Sequence, residues 1–305
     1  MKELYAIKDD YSISLNRKKI WDIELAILED IDVICRENNL LYFLHGGAGL
    51  GAMRHQGFIP WDDDLDIGMP RDSFEKFIAF FSARFQKKYS IQYGCGQYEE
   101  CGTFLRIRDR NSTAIIKSQW DNKEQCHGVF VEVYPFDHSV SSHFLRRLQA
   151  SKIEMYERAL NHRFFGKKFS GVKGMLDFLF SKAISTRCLW NLWNRECQKY
   201  NKYITAWCDT PSLPKYFREG IHHYRMEDVF PTVYTTFEHS QFPIPANNDA
   251  ILKIEYGNYM QLPPLELRGK HHECLVFFDP NKCYLEYINS DIPDKYFQGI
   301  IDGLI

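Results

Sequence analysis

The sequence predicts an α+β fold. Three observations point there. Near the N-terminus, apolar residues recur at helical spacing; short apolar runs, too brief for helices, follow; and these runs alternate with further amphipathic stretches.

Taken in order, Ile20, Ile23, Ile27, Ile31 and Ile34 predict a helix from about Leu15 to Asn38, ended by Asn38-Asn39. Leu40 to Leu44 reads as a short buried strand running into His45-Gly46-Gly47-Ala48-Gly49. Leu50 to His55 reads as helical, broken by Gln56-Gly57. Phe58 to Met69 holds an acidic strand, and Arg71 to Phe81 forms another amphipathic helix. Phe104 to Arg108 is a strand with Asp109-Arg110-Asn111-Ser112 as its turn. His127 to Tyr134 is a strand closed by Pro135, with Glu132 interrupting the apolar row Val129, Phe130, Val131 and Val133.

Residues 143–203 change character, with 13 Lys and Arg against four acids. Val172, Met175, Leu176, Leu179, Phe180, Ala183 and Ile184 make a helical stripe there. This reads as a helical insertion whose basic face suits an anionic glycan, a lipid-linked diphosphate or the inner membrane leaflet. Further on, Phe242 to Pro245 is extended, Asp249 to Tyr256 is a short helix and Leu262-Pro263-Pro264 is a rigid corner. The expected organisation is a catalytic core over 1–138, the basic insertion over 139–208, and a C-terminal segment over 209–305 that returns to complete the site.

Composition narrows the class. A chain of 305 residues can bury a full core, and a formal charge of -2 gives no global pull toward nucleic acid. The nine cysteines are an odd number without a Cys-x-x-Cys pair, which fits reduced thiols better than a disulfide frame or a zinc site. The opening Met1-Lys2-Glu3-Leu4-Tyr5 lacks the apolar region of a signal peptide, so the expected location is cytoplasmic.

The chemistry concentrates in Trp61-Asp62-Asp63-Asp64-Leu65-Asp66-Ile67-Gly68. Along an extended strand Asp62, Asp64 and Asp66 share one face and Asp63 points away. Three carboxylates on one face repel one another, which calls for a hard cation, magnesium or manganese. A divalent ion facing a glycine-rich turn suits phosphate chemistry. An EF-hand fails because Ile67 stands where its glycine belongs and Ser73 where its closing Glu belongs. A Walker A loop fails because no Gly-Lys-Ser/Thr follows the glycines.

The stretch His45-Gly-Gly-Ala-Gly-Leu-Gly-Ala-Met-Arg-His-Gln-Gly-Phe-Ile-Pro-Trp-Asp-Asp-Asp-Leu-Asp-Ile-Gly-Met69 resembles the signature of the LicD family, which includes bacterial phosphocholine transferases and, more distantly, fukutin-related proteins. Phe130-Val-Glu-Val-Tyr-Pro-Phe-Asp137 and Tyr256-Gly-Asn-Tyr-Met-Gln-Leu-Pro-Pro264 resemble later blocks of that family. The resemblance implies a nucleotidyltransferase-like fold, a small mixed sheet flanked by helices. It sets Gly46 and Gly47 in the turn and Asp64 and Asp66 in the Asp-x-Asp. Glu132 falls at the third carboxylate, where family members commonly carry Asp. Ala48 departs from a frequent Thr.

The implied reaction moves a phospho-alcohol such as phosphocholine from a CDP-linked donor to a sugar hydroxyl, releasing CMP. The acceptor would be a lipopolysaccharide, capsule, teichoic acid or lipid-linked precursor, with peripheral contact at the inner face of the membrane through the basic insertion. Asp62, Asp64, Asp66 and Glu132 are the expected metal set, with Asp64, Asp66 and Glu132 catalytic. Gly46, Gly47, Arg54, His55, Arg106 and His271 are the expected nucleotide and phosphate contacts. Trp61 and Tyr134 would cage a cationic cargo. The rivals are a nucleotidyltransferase releasing pyrophosphate and an inactive glycan-binding relic.

Overall fold

The computed structural model describes residues 4–94, 103–165, 182–269 and 276–301. An N-terminal hairpin, β1 (Leu4–Lys8) and β2 (Tyr11–Ser14), leads into helix α1 (Leu15–Glu37). Ser14 caps that helix by accepting the Arg17 backbone N–H at 3.2 Å. Of the expected apolar stripe Ile20, Ile27, Ile31 and Ile34 are buried and Ile23 partly so, and Asn39 takes a left-handed φ of 53° just past the helix end.

Beyond α1 come β3 (Phe43–Leu44), α2 (Gly46–His55), β4 (Asp66–Pro70), α3 (Arg71–Phe85), β5 (Tyr89–Gln92), β6 (Leu105–Asp109), β7 (Thr113–Ile116) and β8 (Phe130–Ser139). The chain continues through α4 (His143–Phe165), α5 (Thr186–Cys197), β9 (Trp207–Asp209), α6 (Pro214–Glu219), β10 (Tyr224–Arg225) and α7 (Met226–Val229). A hairpin of β11 (Val233–Phe237) and β12 (Ser240–Ile244), then α8 (Asn248–Tyr256), β13 (Val276–Asp279) and α9 (Ile292–Ile301), complete it. The α+β class and the mixed sheet are as expected.

Strand β8 organises the main sheet. Its first half pairs with β6 antiparallel on one side and with β4 parallel on the other; its second half pairs with β9. The whole sheet has seven strands, β3 and β5 being carried on the outer sides of β4 and β6, and β10 beyond β9. Pro135 does not close the strand, which runs on to Ser139. Glu132 donates its backbone N–H toward β4, so position 135 faces the opposite edge. There β6 has ended opposite Val133 and β9 begins opposite Asp137, so no N–H is needed.

A second correction concerns the acidic run. Only Asp66 to Pro70 is sheet; residues 62–65 are irregular chain leading into it. Beneath the sheet, a core of Ile27, Leu28, Ile31, Leu44, Leu65, Ile67, Phe77, Phe81 and Val133 excludes water.

Helices α4 and α5 pack on each other and on α6 through Ala150, Ile153, Leu160, Leu189, Trp193 and Phe217. Of the stripe expected in this region, Val172, Met175, Leu176, Leu179 and Phe180 lie outside the described residues. A buried pair anchors the assembly: Arg71 Nε and Nη2 donate to Asp137 Oδ1 and Oδ2 at 2.9 and 2.6 Å. Asn201 Nδ2 donates to the same Asp137 Oδ1 at 2.6 Å, fastening the turn after α5 to the end of β8. Among the described residues no helix is long and apolar enough to cross a membrane.

Candidate active site

The glycine run is itself a helix start. Strand β3 delivers His45 as the residue before α2, and the helix begins at Gly46, four residues ahead of the Leu50 expected from sequence. Gly46 has φ +54°, and a side chain at Gly47 would stand 2.5 Å from Asp62 Oδ2. The two glycines therefore do different work: the first permits a left-handed backbone, the second admits a carboxylate to the helix N-terminus.

Asp62, Asp64 and Asp66 line a cavity of about 700 Å³, whereas Asp63 does not line it and is buried. The carboxylates of Asp62, Asp63 and Asp64 approach within 4.8 Å of one another. Arg17 Nη1 and Trp21 Nε1 donate to the Asp62 backbone carbonyl at 2.6 and 3.1 Å, pinning the loop to α1. Burial, and then the charge of Asp64, push both Asp62 and Asp66 well above the usual carboxylate range. Asp66 Oδ1 is buried and makes no hydrogen bond.

A further carboxylate, Glu24 of α1, is buried nearby and raised by burial and by Asp64, Asp63 and Asp62. It went unread in the sequence. Its signal was an acid inside the apolar stripe, four residues after Ile20 and three before Ile27. So much like charge gathered at the cavity wall, with a buried Asp66 oxygen that makes no hydrogen bond, fits a hard divalent cation held by oxygen alone.

Glu132 sits opposite Asp66 in the β4–β8 register. Its Oε1 accepts from Arg106 Nε at 2.6 Å and its Oε2 from the Tyr134 hydroxyl. Arg106 is held between the rings of Phe104 and Phe130, 4.8 and 5.6 Å from their centroids. Of these residues Tyr134 lines the cavity, while Glu132 and Arg106 do not.

Arg54 lines the cavity, with Nη1 donating to the Tyr259 carbonyl at 2.6 Å. Trp61 also lines it, but two guanidiniums already lie over its ring, Arg268 at 4.7 Å and Arg54 at 5.7 Å. His55 is directed elsewhere: its Nε2 lies 3.0 Å from Asp9 Oδ2, and it is absent from the cavity lining. Burial lowers it to about 4, leaving the ring neutral at neutral pH. His271 lies outside the described residues.

The cavity is also lined by His45, His222 and Glu255, a possible metal-binding group whose donor atoms all lie within 4.8 Å of one another; the His45 backbone N–H donates to the Asp66 carbonyl at 3.0 Å, so the group adjoins the acidic strand. The His45 and His222 rings meet edge to face with centroids 4.7 Å apart. Burial lowers both histidines, His222 to about 4, and raises Glu255 to about 7. None of the three was singled out from sequence; His222 and Glu255 belong to no local pattern.

Comparison with known proteins agrees with the resemblance drawn from the motifs. The family described as LicD/FKTN/FKRP, nucleotidyltransferase domain, matches residues 39–159. The chain is 27% identical over 261 residues to lipopolysaccharide cholinephosphotransferase LicD of Haemophilus influenzae, covering 81% of this chain and 92% of that protein. Shorter similarities reach uncharacterized proteins of Rickettsia typhi, 36% identical over 76 residues, and Rickettsia prowazekii, 49% identical over 43 residues. These cover 23% and 14% of this chain, and 25% and 16% of the respective relatives.

Proposed function

We propose that this chain, whose residues 39–159 match the LicD/FKTN/FKRP nucleotidyltransferase domain, transfers a phospho-alcohol, phosphocholine or a close analogue, from a CDP-linked donor to a sugar hydroxyl and releases CMP. The observation that carries the reading is the set of Asp62, Asp64 and Asp66 on one cavity wall, set against the glycine start of α2. The cholinephosphotransferase activity named for the Haemophilus relative supports the cargo class.

In this reading Asp62, Asp64 and Asp66 hold a magnesium or manganese ion, with Asp66 Oδ1 the oxygen best placed for it. When bound, the ion supplies charge neutralisation for the donor diphosphate. Gly46 and Gly47 present the N-terminus of α2 to the same phosphates, where backbone N–H groups and the helix dipole favour anions. Arg54 reaches the cavity beside Trp61 and is assigned to the nucleotide end. Glu132 was expected as a third ligand or a base. With both oxygens engaged by Arg106 and Tyr134, it is better assigned to positioning Asp66 across the strand pair. The exposed Phe144, Leu145 and Leu148 of α4, close in sequence to Arg147 and Lys152, support peripheral contact with an anionic membrane surface.

The test is product analysis with CDP-choline, magnesium and a panel of glycan acceptors. Release of CMP with phosphocholine appearing on the acceptor, abolished by Asp64→Ala, is the expected result. Pyrophosphate release from a nucleoside triphosphate, with CDP-alcohols inert, would instead assign nucleotidyl transfer.

A further inference from the structure

We propose that His45, His222 and Glu255 form a second cation site, one that takes a borderline transition ion of the zinc class and is distinct from the acidic loop. The inference is independent of the transferase reading, because it concerns metal chemistry alone.

Three segments supply the donors: the β3–α2 junction, the loop before β10 and the end of α8. His45 Nδ1 lies 3.9 Å from Glu255 Oε1, and the three donor atoms lie within 4.8 Å of one another. Around a tetrahedral ion with bonds of roughly 2.0–2.2 Å, neighbouring donors stand roughly 3.3–3.6 Å apart. The group therefore needs a contraction of about an ångström to close on such an ion.

Each outlying ligand already has an orienting partner. Thr210 Oγ1 lies 2.7 Å from His222 Nδ1, which fixes the ring and leaves Nε2 for a metal. The Tyr224 hydroxyl donates to Glu255 Oε1, and Tyr256 hydrogen-bonds the same carboxyl, which fixes its orientation toward His45. Metal-binding histidines and carboxylates are held in this way by hydrogen bonds behind them. His45 is only 4% exposed and lines the cavity. A buried imidazole set edge to face with a second imidazole, its Nδ1 3.9 Å from a carboxylate oxygen, is the observation that points to a ligand.

Donor type separates this site from the acidic loop. Two imidazoles and one carboxylate suit zinc and its neighbours, whereas an all-carboxylate set suits magnesium. Three protein ligands leave a further position, and all three side chains line the cavity. That position would take water or an oxygen of the cavity's occupant.

The experiment is titration of the chelator-stripped full chain with Zn²⁺ by calorimetry, together with absorption spectra of the Co²⁺ form. One equivalent of Zn²⁺ should bind and survive millimolar Mg²⁺. His222→Gln should weaken binding at least a hundredfold, Thr210→Val on the order of 10–100-fold, and Asp64→Asn should leave it unchanged. Co²⁺ should give intense visible d–d bands without thiolate charge transfer. Zn²⁺ binding as tight in His222→Gln as in the parent would overturn the proposal. So would loss of binding in Asp64→Asn, or a thiolate band placing the ion on cysteine. If His222→Gln does not fold, Thr210→Val decides alone, since it removes one hydroxyl and no ligand.

Discussion

The two clusters that line the cavity, one acidic and one of mixed histidine and glutamate, solve the same electrostatic problem differently. In one, Asp62, Asp64 and Asp66 come from a single five-residue stretch and crowd like charges together, with Glu24 buried nearby. In the other, His45, His222 and Glu255 come from segments up to 210 residues apart and are kept largely uncharged, two imidazoles lowered and one carboxyl raised by burial. The acidic cluster is poised to need a cation, whereas burial disfavours charge on the histidines and on Glu255. Local sequence builds a charged cluster, while a neutral one needs the fold to gather it.

Strands β4 and β9 both pair with β8, so the largest effect should come from its anchor. Arg71→Ala leaves Asp137 buried without its guanidinium and should cost about 3–5 kcal/mol of stability. Denaturant unfolding would check this, and a loss under 1 kcal/mol would mean that the two clusters do not share that frame.

Next, Asp66→Asn should lower transfer activity by on the order of 10²–10³-fold, the scale of one lost transition-state electrostatic contact. The same change should raise the melting temperature of the ion-free protein by roughly 2–4 °C, if relief of repulsion is worth about 1 kcal/mol. A scanning calorimetry trace showing a fall would break the contrast between a strained and a relaxed cluster.

The third prediction concerns pH. Glu255 stands at about 7 in the fold against 4.5 when free, so the group favours folding less as pH rises from 4.5 through 7. His222 stands at about 4 against 6.5, so it removes stability as pH falls from 6.5 through 4. Glu255→Gln should abolish the first slope, worth up to about 3 kcal/mol, and leave the second. Stability measured by denaturant between pH 4 and 8 reads this, and an unchanged loss of stability between pH 4.5 and 7 would place that titration elsewhere, in Asp62 and Asp66.

The smallest effect should be Arg54→Ala, which removes one cation from the Trp61 wall. About a tenfold rise in KM for the donor with kcat nearly unchanged is expected for lost uniform binding. A fall in kcat alone would move Arg54 from binding to chemistry.

How much was legible follows from the range of the forces. Helix α1 was readable to within a residue because its stripe and its cap are local. Asp62, Asp64 and Asp66 line the cavity and Asp63 does not, but the Asp63 carboxylate lies within 4.8 Å of those of Asp62 and Asp64 instead of pointing away, because only Asp66 belongs to a strand. Pro135 misled, because whether a strand needs an N–H depends on which neighbour pairs there. His55 looked like a site residue by position, but helix α2 turns it toward Asp9 of the N-terminal hairpin.

By itself, then, the sequence determined helix α1, the short strand into the glycine run and the three aspartates that line the cavity, each encoded within a few neighbouring residues. Only the tertiary structure decided that Glu24 joins that acidic cluster, that Arg106 and Tyr134 occupy Glu132, and that His45, His222 and Glu255 meet. The reason is physical: dihedral preference and periodicity act between near neighbours, while desolvation and charge act between whatever the packing of β8 and α8 brings together.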